Sequence, residues 1–425
     1  MKKARYIIIL FLFALLYMTV AVYAGDANIS GAAPDDIAGG DGAPNGIADG
    51  LISDDLLSEV SADIGPALPT ALDLNAKSVI LMEASSGMIL YESNADEALP
   101  PASVTKIMSI LLIMEAIDDG VIKIDDMVSV SENAASMGGS QVYLEPGETL
   151  SVEELLKCVI IASANDATVA LAEFVAGDED TFVARMNERA AELDMKNTHF
   201  VNTNGLDDGE EAATHLISAR DIAIVSRELT VKHPAVFNYT TIWMDTIRGG
   251  AFGLTNTNRL VRFYRGATGL KTGSTSKAGF CISATATRDG MALIAVVMGS
   301  PTRDIRNEAA KSLLDFGFAN YCTYVSEGAS GDNVPVTGGV DDFVASEYKE
   351  FSSVQKKGRA ADVIKMVTMN ESVPAPVHKG DIIGEVTYTL DGEVIGTTPV
   401  TAVCDVEKIS YFGLIYRILR CALID

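Results

Sequence analysis

Histidine is scarce. The four present, His199, His215, His233 and His378, are scattered through 425 residues, with no H-E-x-x-H or similar spacing for a metal. None has an obvious Asp-supported setting, so a Ser–His pair is not indicated. The five cysteines, Cys158, Cys281, Cys322, Cys404 and Cys421, are odd in number, far apart and without a C-x-x-C pair. That speaks against a disulfide framework, and Cys158 and Cys281, set in apolar runs, read as buried free thiols. No metal and no cofactor is expected. Basic residues are also short: 32 Lys+Arg stand against 58 Asp+Glu, a formal net charge of −26. So acidic a surface argues against nucleic acid, which needs Lys and Arg to replace counterions. It argues equally against whole-protein binding to anionic lipid, so any membrane contact must be local. No internal repeat is visible.

The length suggests two or three domains, and 48% hydrophobic residues allow a large core. Residues 1–24 read as an export signal: Lys2, Lys3 and Arg5, an apolar run from Ile7 to Val22, then small residues around Ala24. The other reading of that run is an uncleaved membrane anchor. Residues 25–66 carry nine acidic residues and no Lys or Arg, which reads as a disordered acidic linker. Ile52–Val60 is its one short helical candidate.

Ordered structure is expected from about residue 67. Ser78–Glu83 and Met88–Glu92, split by Ser85-Ser86-Gly87, predict a hairpin. An apolar helix follows Leu99-Pro100-Pro101-Ala102-Ser103 and runs to about Ile117. Ser151–Val175 reads as one long apolar helical region capped by Ser151, and Asp180–Leu193 as an amphipathic helix. Gly279–Thr287 and Met291–Gly299 flank Arg288-Asp289-Gly290, a hairpin signal, and Asn307–Phe316 reads as a closing helix. This order predicts an α+β domain, an antiparallel sheet covered by helices, over 67–325. A small β-rich domain over 326–406 follows, with a hairpin at Asp391-Gly392. The last segment, 407–425, is an amphipathic helix: Ser410, Gly413, Arg417 and Arg420 form a narrow polar stripe on an otherwise apolar surface. So wide an apolar face suits a helix lying in a membrane surface, or else one packed on the domain.

With no histidine base in view, Ser103-Val104-Thr105-Lys106 becomes the candidate catalytic segment. On a helix, residues three apart share a face, and a lysine whose pKa is lowered by burial or a nearby cation can serve as base. Ser353-Val354-Gln355-Lys356 and Ser274-Thr275-Ser276-Lys277 match S-x-x-K too. The first lies in a polar stretch and the second in a Gly/Ser-rich turn, whereas Ser103 opens an apolar helix, though it also suits a plain N-cap. Ser163-Ala164-Asn165 places polar groups inside an apolar helical region, costly unless paired; it is a candidate proton relay or a locally satisfied helix end. Ser131-Glu132-Asn133 has the same pattern in an exposed stretch. Lys271-Thr272-Gly273 offers a cation, a hydroxyl and a glycine that permits close backbone approach, or is an ordinary strand entry.

S-x-x-K, S-x-N and K-T-G in this order resemble the penicillin-binding protein and serine β-lactamase superfamily. Residues 68 to about 425 look more closely like the low-molecular-mass D-alanyl-D-alanine carboxypeptidases (serine peptidase family S11). The similarity lies in Pro101–Met108, Leu144–Glu148, Asn165-Asp166-Ala167, His199–Leu206, Ser218–Asp221, Thr257–Leu260 and Gly269–Gly273. It implies a β-lactamase/transpeptidase-like domain and removal of the terminal D-alanine from peptidoglycan stem peptides ending in D-Ala-D-Ala. β-Lactams would be covalent inhibitors. Carried onto these positions, Ser103 would form the acyl-enzyme, Lys106 would be the base, and Ser163 and Asn165 would relay the proton and orient substrate. Lys271 and Thr272 would bind the terminal carboxylate beside Gly273. The N–H groups of Ser103 and of Ser274 or a near neighbour would form the oxyanion hole. Ser274 departs from members with His after K-T-G. Asn258, Arg259 and Arg303 are possible outer contacts or structural polar groups. The implied place of action is the outer face of the cytoplasmic membrane or the cell wall.

A class A β-lactamase would carry a catalytic glutamate between S-x-N and K-T-G, and no E-x-x-L-N segment occurs between 166 and 270. An endopeptidase or transpeptidase of the same superfamily shares the acyl-enzyme and remains the alternative, with a non-catalytic penicillin-binding sensor behind it.

Overall fold

The computed structural model describes residue 72 and residues 74–424 apart from residue 210. The expected export signal, the acidic linker and its helical candidate Ile52–Val60 lie outside the described residues.

The first sheet joins runs that are far apart in sequence. β1 (Ser78–Glu83) and β2 (Ile89–Ser93) form the expected hairpin. The Glu83 carboxylate accepts the backbone N–H of Ser85 and of Ser86, which closes the turn. β3 (Ala267–Thr275), β4 (Gly279–Arg288) and β5 (Met291–Ser300) complete the sheet in the order β2-β1-β5-β4-β3, antiparallel throughout. The early and late hairpins meet at β1 and β5, where Ser78 opposes Met298 and Glu83 opposes Leu293. Side chains alternate across β1. Ile80 and Met82 enter one core with the helices between β2 and β3, whereas Val79 and Leu81 enter a second with the closing helix. The sheet is therefore covered on both faces, in the α+β arrangement expected.

The helices longer than one turn in this domain are α1 (Lys106–Asp118), α2 (Val152–Lys157), α3 (Asn165–Ala176), α4 (Glu179–Glu192), α5 (Ala219–Lys232) and α6 (Arg303–Asn320). The expectation of one helix over Ser151–Val175 is corrected. Ser151 does cap α2, in a reciprocal capping box with Glu154. After α2, however, the chain widens into a π-turn at Cys158–Ala162, and Ser163 adopts a left-handed conformation with φ 64° and ψ 30°. α3 then starts afresh at Asn165. Hydrophobicity is continuous across the break, so periodicity alone does not register it; the polar Ser163 and Asn165 mark it. The closing helix is also longer than expected, because the polar turn Arg303–Arg306 belongs to it and Thr302 caps it at Ile305 N–H.

β6 (Tyr321–Ser326) leaves α6 directly and pairs with β7 (Phe351–Lys356). β8 (Ile382–Leu390) and β9 (Glu393–Ala402) form the hairpin expected at Asp391-Gly392, where both residues have positive φ. This region has two small cores, one around Val334, Val344 and Ile383 and one around Tyr388, which is fully buried and stacked on Phe351 with centroids 4.1 Å apart. α7 (Tyr411–Ile424) starts four residues later than expected. The residues before it are spent on the β region: Val340 N–H donates to Glu407 O, Ile409 N–H donates to Gly338 O, and Lys408 bridges to Gly339. Arg417 on the polar stripe pairs with Asp342 and donates to Val340 O. Arg417 thus faces the protein, and apolar side chains such as Phe412, 81% exposed, face out. Among the described residues no helix is long and apolar enough to cross a membrane.

Removing the Tyr388 ring should cost about 3–5 kcal/mol, the usual range for a buried aromatic. Tyr388→Ala should lose amide protection across β6–β9 and keep it across β1–β5. Hydrogen exchange checks this, and equal loss in both regions would show one cooperative unit.

Candidate active site

The Ser103 turn is made by close backbone packing rather than by a cap. Ala102 has φ 49°, Ala102–Thr105 forms a 3-10 turn, and α1 begins at Lys106. Ser103 makes no cap hydrogen bond to the helix start, which removes the plain N-cap reading. Two glycines let neighbouring chain lie against this turn. A Cβ on Gly205, itself at φ 83°, would stand 1.9 Å from Ala102 O, and one on Gly273 would stand 2.8 Å from Ser103 N. Gly273 was expected to admit a substrate backbone; its hydrogen already faces the Ser103 turn, which needs the space. Ser274, read as part of a turn, is in β3 opposite Phe280.

His215, overlooked as a candidate, holds the same turn. Its Nδ1 accepts from Val201 N–H, so Nε2 carries the proton and donates to Thr105 Oγ1, which in turn donates to Ala102 O. Burial, with His199 nearby, pushes the imidazole down to about 4. It is a neutral strut at ordinary pH. No local pattern could have revealed it, since Thr105 and His215 are 110 residues apart. Two histidines do have an aspartate neighbour, contrary to expectation: His233 Nδ1 meets Asp118, and the exposed His378 stands 3.9 Å from Asp405. Asp118 ends the 13-residue helix that Lys106 begins, roughly 18 Å along it at 1.5 Å per residue, so the His233 pair is remote from this site.

Lys106 is fully buried. Its Nζ lies 3.0 Å from Ser103 Oγ, 2.6 Å from Asn165 Oδ1 and 2.8 Å from Asn204 O. Asn165 is held by two further bonds: Nδ2 donates to Gly138 O, and its backbone N–H donates to Ser140 O. The amide therefore has to turn its oxygen to Lys106. A second fully buried lysine, Lys271, donates to Ser163 Oγ at 2.7 Å and to Thr272 O at 2.9 Å. The left-handed residue at the helix break is what aims Ser163 there. Desolvation first, then the Lys271 charge, holds the Lys106 ammonium well below its ordinary range. Lys271 is lowered to about 7 by burial and by Arg306.

Asp166 gives Lys106 its opposing influence. Fully buried, its carboxylate accepts the N–H groups of Val142, Leu144 and Ala167. It straps the 138–144 loop to the start of α3 and favours the Lys106 cation. The motif segment Asn165-Asp166-Ala167 contained it, but its work is visible only once the loop is in place.

A cavity of about 630 Å³ opens at these groups. Ser103, Ser163, Thr272, Gly273 and Ser274 line it, with Arg259, Arg303 and Arg306, and no acidic side chain does. Lys106, Asn165 and Lys271 stand behind that lining. All eight expected site residues thus come together. Thr272 Oγ1 donates to Thr257 Oγ1. Of the outer candidates, Arg259 and Arg303 face the cavity, whereas buried Asn258 is structural, donating to Gly269 O and accepting from Leu260 N–H. Arg306 was missed. It is 3% exposed and donates to Asn307 Oδ1 and Cys281 O, and among the described residues it has no carboxylate partner. Burial lowers it to about 10. Its sequence signal was weak: one arginine in a polar helix turn.

Known proteins are similar to this chain. Residues 66–302 match the D-alanyl-D-alanine carboxypeptidase family, and residues 321–408 match the C-terminal domain of penicillin-binding protein 5. The chain is 44% identical to the D-alanyl-D-alanine carboxypeptidase DacF of Bacillus subtilis, over 80% of this chain and 88% of that one. It is 33% identical to DacA of Escherichia coli over 84% and 90%. Among solved structures, penicillin-binding protein 5 of Haemophilus influenzae superposes with a TM-score of 0.69 at 33% identity, over 80% of this chain and all of that one. The chain belongs to the D-alanyl-D-alanine carboxypeptidase family and is a serine-type carboxypeptidase of that specificity.

Proposed function

We propose that Ser103 is the acylated nucleophile, Lys106 its base and Ser163 the proton relay to the leaving amine. Asn165, Lys271, Thr272, Gly273 and Ser274 form the substrate-binding set. The observation that carries this reading is the surroundings of Lys106. Two of its neighbours, Asn165 Oδ1 and Asn204 O, can only accept; the third is the Ser103 hydroxyl. A neutral amine satisfies all three, with two N–H bonds and a lone pair toward Ser103 O–H. Burial favours that neutral form.

Ser103 Oγ then attacks the carbonyl of the penultimate D-alanine and passes its proton to Lys106. The oxyanion is met by the N–H of Ser103 and of Ser274 or a near neighbour. Ser163, at the junction with Lys271, hands a proton to the departing D-alanine, and water later hydrolyses the ester with Lys106 again as base. The terminal carboxylate sits against Lys271 and Thr272, and Arg306, buried without a counterion, completes the charge it needs.

We further propose that α7 lies in the membrane surface at the outer face of the cytoplasmic membrane. In this reading residues 1–24 direct export, 25–66 form the linker, 67–325 the peptidase domain and 326–406 the β-rich domain that carries α7 (407–425 with its approach). The outward apolar face of α7 and its Arg417 tether support the membrane contact.

Ser103→Ala should abolish both D-alanine release and covalent penicillin labelling, with wild-type adduct mapped to Ser103 by mass spectrometry. An adduct elsewhere would displace the nucleophile. The pH profile of kcat/KM on a D-Ala-D-Ala peptide should be bell-shaped. It rises as Lys106 loses its proton, and falls as Lys271 loses its own through about 7 and with it the charge that binds carboxylate. Asp166→Asn removes a charge that favours the Lys106 cation, so the acid limb should move to lower pH while the alkaline limb stays. A slower enzyme with an unmoved acid limb would make Asp166 purely structural. Deleting 407–425 should free the mature protein from membranes and leave its turnover in solution unchanged, as measured by flotation and D-alanine release.

A further inference from the structure

The loop that holds Asn165 is itself fastened by a residue outside the cavity. Arg248 sits at the tip of a two-stranded hairpin, Met244–Ile247 with Phe252–Thr255. Its guanidinium is bidentate to Glu148, Nε to Oε1 at 2.6 Å and Nη2 to Oε2 at 2.9 Å. It also donates from Nη1 to Val142 O at 2.9 Å and from Nη2 to Tyr143 O at 3.1 Å. The same short segment gives the N–H groups of Val142 and Leu144 to Asp166. Its backbone is thus gripped through the N–H groups by a carboxylate and through the carbonyls by a guanidinium. The Arg248 and Glu148 side chains are only 24% and 22% exposed, so the pair is not the solvent-screened kind that contributes little.

Both ends of this grip are held in costly backbone. Arg248 has φ 53° and Tyr143 φ 57°, a region that crowds Cβ against the following carbonyl in any residue but glycine. The next two residues of the tip, Gly249 and Gly250, take positive φ freely. An arginine in such a place is retained against the preference of the turn, and strain of this kind collects where a side chain must be aimed. Its own N–H donates to Glu154 Oε1, which fixes the tip to the start of α2.

From the grip, direct contacts lead to the reacting groups. Gly138 O and Ser140 O accept the Asn165 side-chain and backbone N–H groups. A Cβ on Gly139 would stand 2.9 Å from Asn165 Nδ2, so the loop lies hard against that amide. Asn165 Oδ1 accepts from Lys106 at 2.6 Å. In the other direction the hairpin runs on into Asn256 and Thr257, which line the cavity, and Thr257 receives the Thr272 hydroxyl. Arg248 therefore joins the loop behind Lys106 to the hairpin beside Thr272. Without the guanidinium, Val142 and Tyr143 lose their carbonyl partners and the loop can pivot about its Asp166 bonds.

We propose that Arg248 is a positioning residue of the peptidase: its clamp on Glu148, Val142 and Tyr143 holds the 138–144 loop so that Asn165 stays turned to Lys106. The inference rests on Lys106 acting as base for Ser103 and adds the device that keeps the pair aligned. Arg248 itself touches no substrate.

The test uses the full-length protein with Arg248→Gln or, separately, Glu148→Gln, and reads two quantities from penicillin labelling. The fraction labelled at completion counts folded sites, and the rate per labelled site reads alignment at Ser103. Each variant should label to the wild-type fraction at a rate about tenfold lower, with kcat/KM on a D-Ala-D-Ala peptide falling by the same factor, because small misplacements of reacting groups are costly. The double variant should be no slower than Arg248→Gln, since the two residues form one clamp. Wild-type rates per labelled site would overturn the proposal, even where fewer sites are labelled, because the clamp would then serve stability alone. Losses that multiply in the double variant would overturn the single clamp. If Arg248→Gln does not fold, Glu148→Gln decides by the same rate. Absence of labelling in the wild-type protein would overturn the Ser103 reading instead.

Discussion

Two buried lysines without a buried carboxylate beside either ammonium set the terms for this molecule. Lys106 and Lys271 are fully enclosed, and the Lys271 charge adds to burial in disfavouring the Lys106 cation. A shift of Lys271 from 10.5 to about 7 corresponds to roughly 5 kcal/mol against its cation relative to water. No ordinary core would retain such a group, since an apolar replacement of similar volume would be cheaper. In the proposed mechanism, the Lys271 charge is wanted when a substrate carboxylate arrives, and the neutral Lys106 amine is wanted before it does. The nearest negative charge, Asp166, is turned away into three backbone N–H groups, where it tempers the Lys106 shift without forming an ion pair with it.

The rest of the architecture can be traced to keeping those two amines in place. Ser163 reaches Lys271 only because the helix breaks in a π-turn and a left-handed residue, and such irregularities recur where function needs a side chain re-aimed. The break is stabilised from both sides. Capped α2 leads in, and Asn165 and Asp166 on the first turn of α3 tie down the 138–144 loop. On the other side of Ser103, β3 comes close enough that Gly273 cannot bear a side chain, and His215 fixes the 3-10 turn as a neutral donor. A charged histidine would have no acceptor left for its second proton.

The elements with strong periodicity were legible: the β1–β2 and β4–β5 hairpins, α4 and the Asp391-Gly392 hairpin fall close to where alternation and turn residues put them. The seven residues of the three motifs, with Ser274 after the third, could likewise be picked out, though choosing Ser103 over Ser274 and Ser353 as the S-x-x-K serine took the apolar helix behind it. What was not legible depends on contacts across the chain. The helix break hides inside Cys158–Ala162, where every residue is apolar and a π-turn and an α-helix read alike. His215, Asn204 and Arg306 act through backbone atoms or through their distance from any carboxylate, and neither property is written in a local pattern. α7 was placed four residues early for a related reason: Glu407 and Lys408 suit a helix but are claimed by the Gly338–Val340 backbone.

Charge is distributed in a way that suits the substrate. The chain carries −26 formal charges, yet no acidic side chain lines the cavity, and Arg259, Arg303 and Arg306 do. Low-dielectric walls around charge of one sign focus the field into the opening, so an anionic chain end is drawn to this opening despite the acidic net charge. The same cations cannot be neutralised locally without losing that pull, which is why Arg306 is satisfied by an amide oxygen and a carbonyl rather than by a carboxylate. Dipoles meet its donors while leaving its charge intact. Burial without a carboxylate costs stability at this position, and in the proposed mechanism the guanidinium charge is left for the substrate carboxylate to meet.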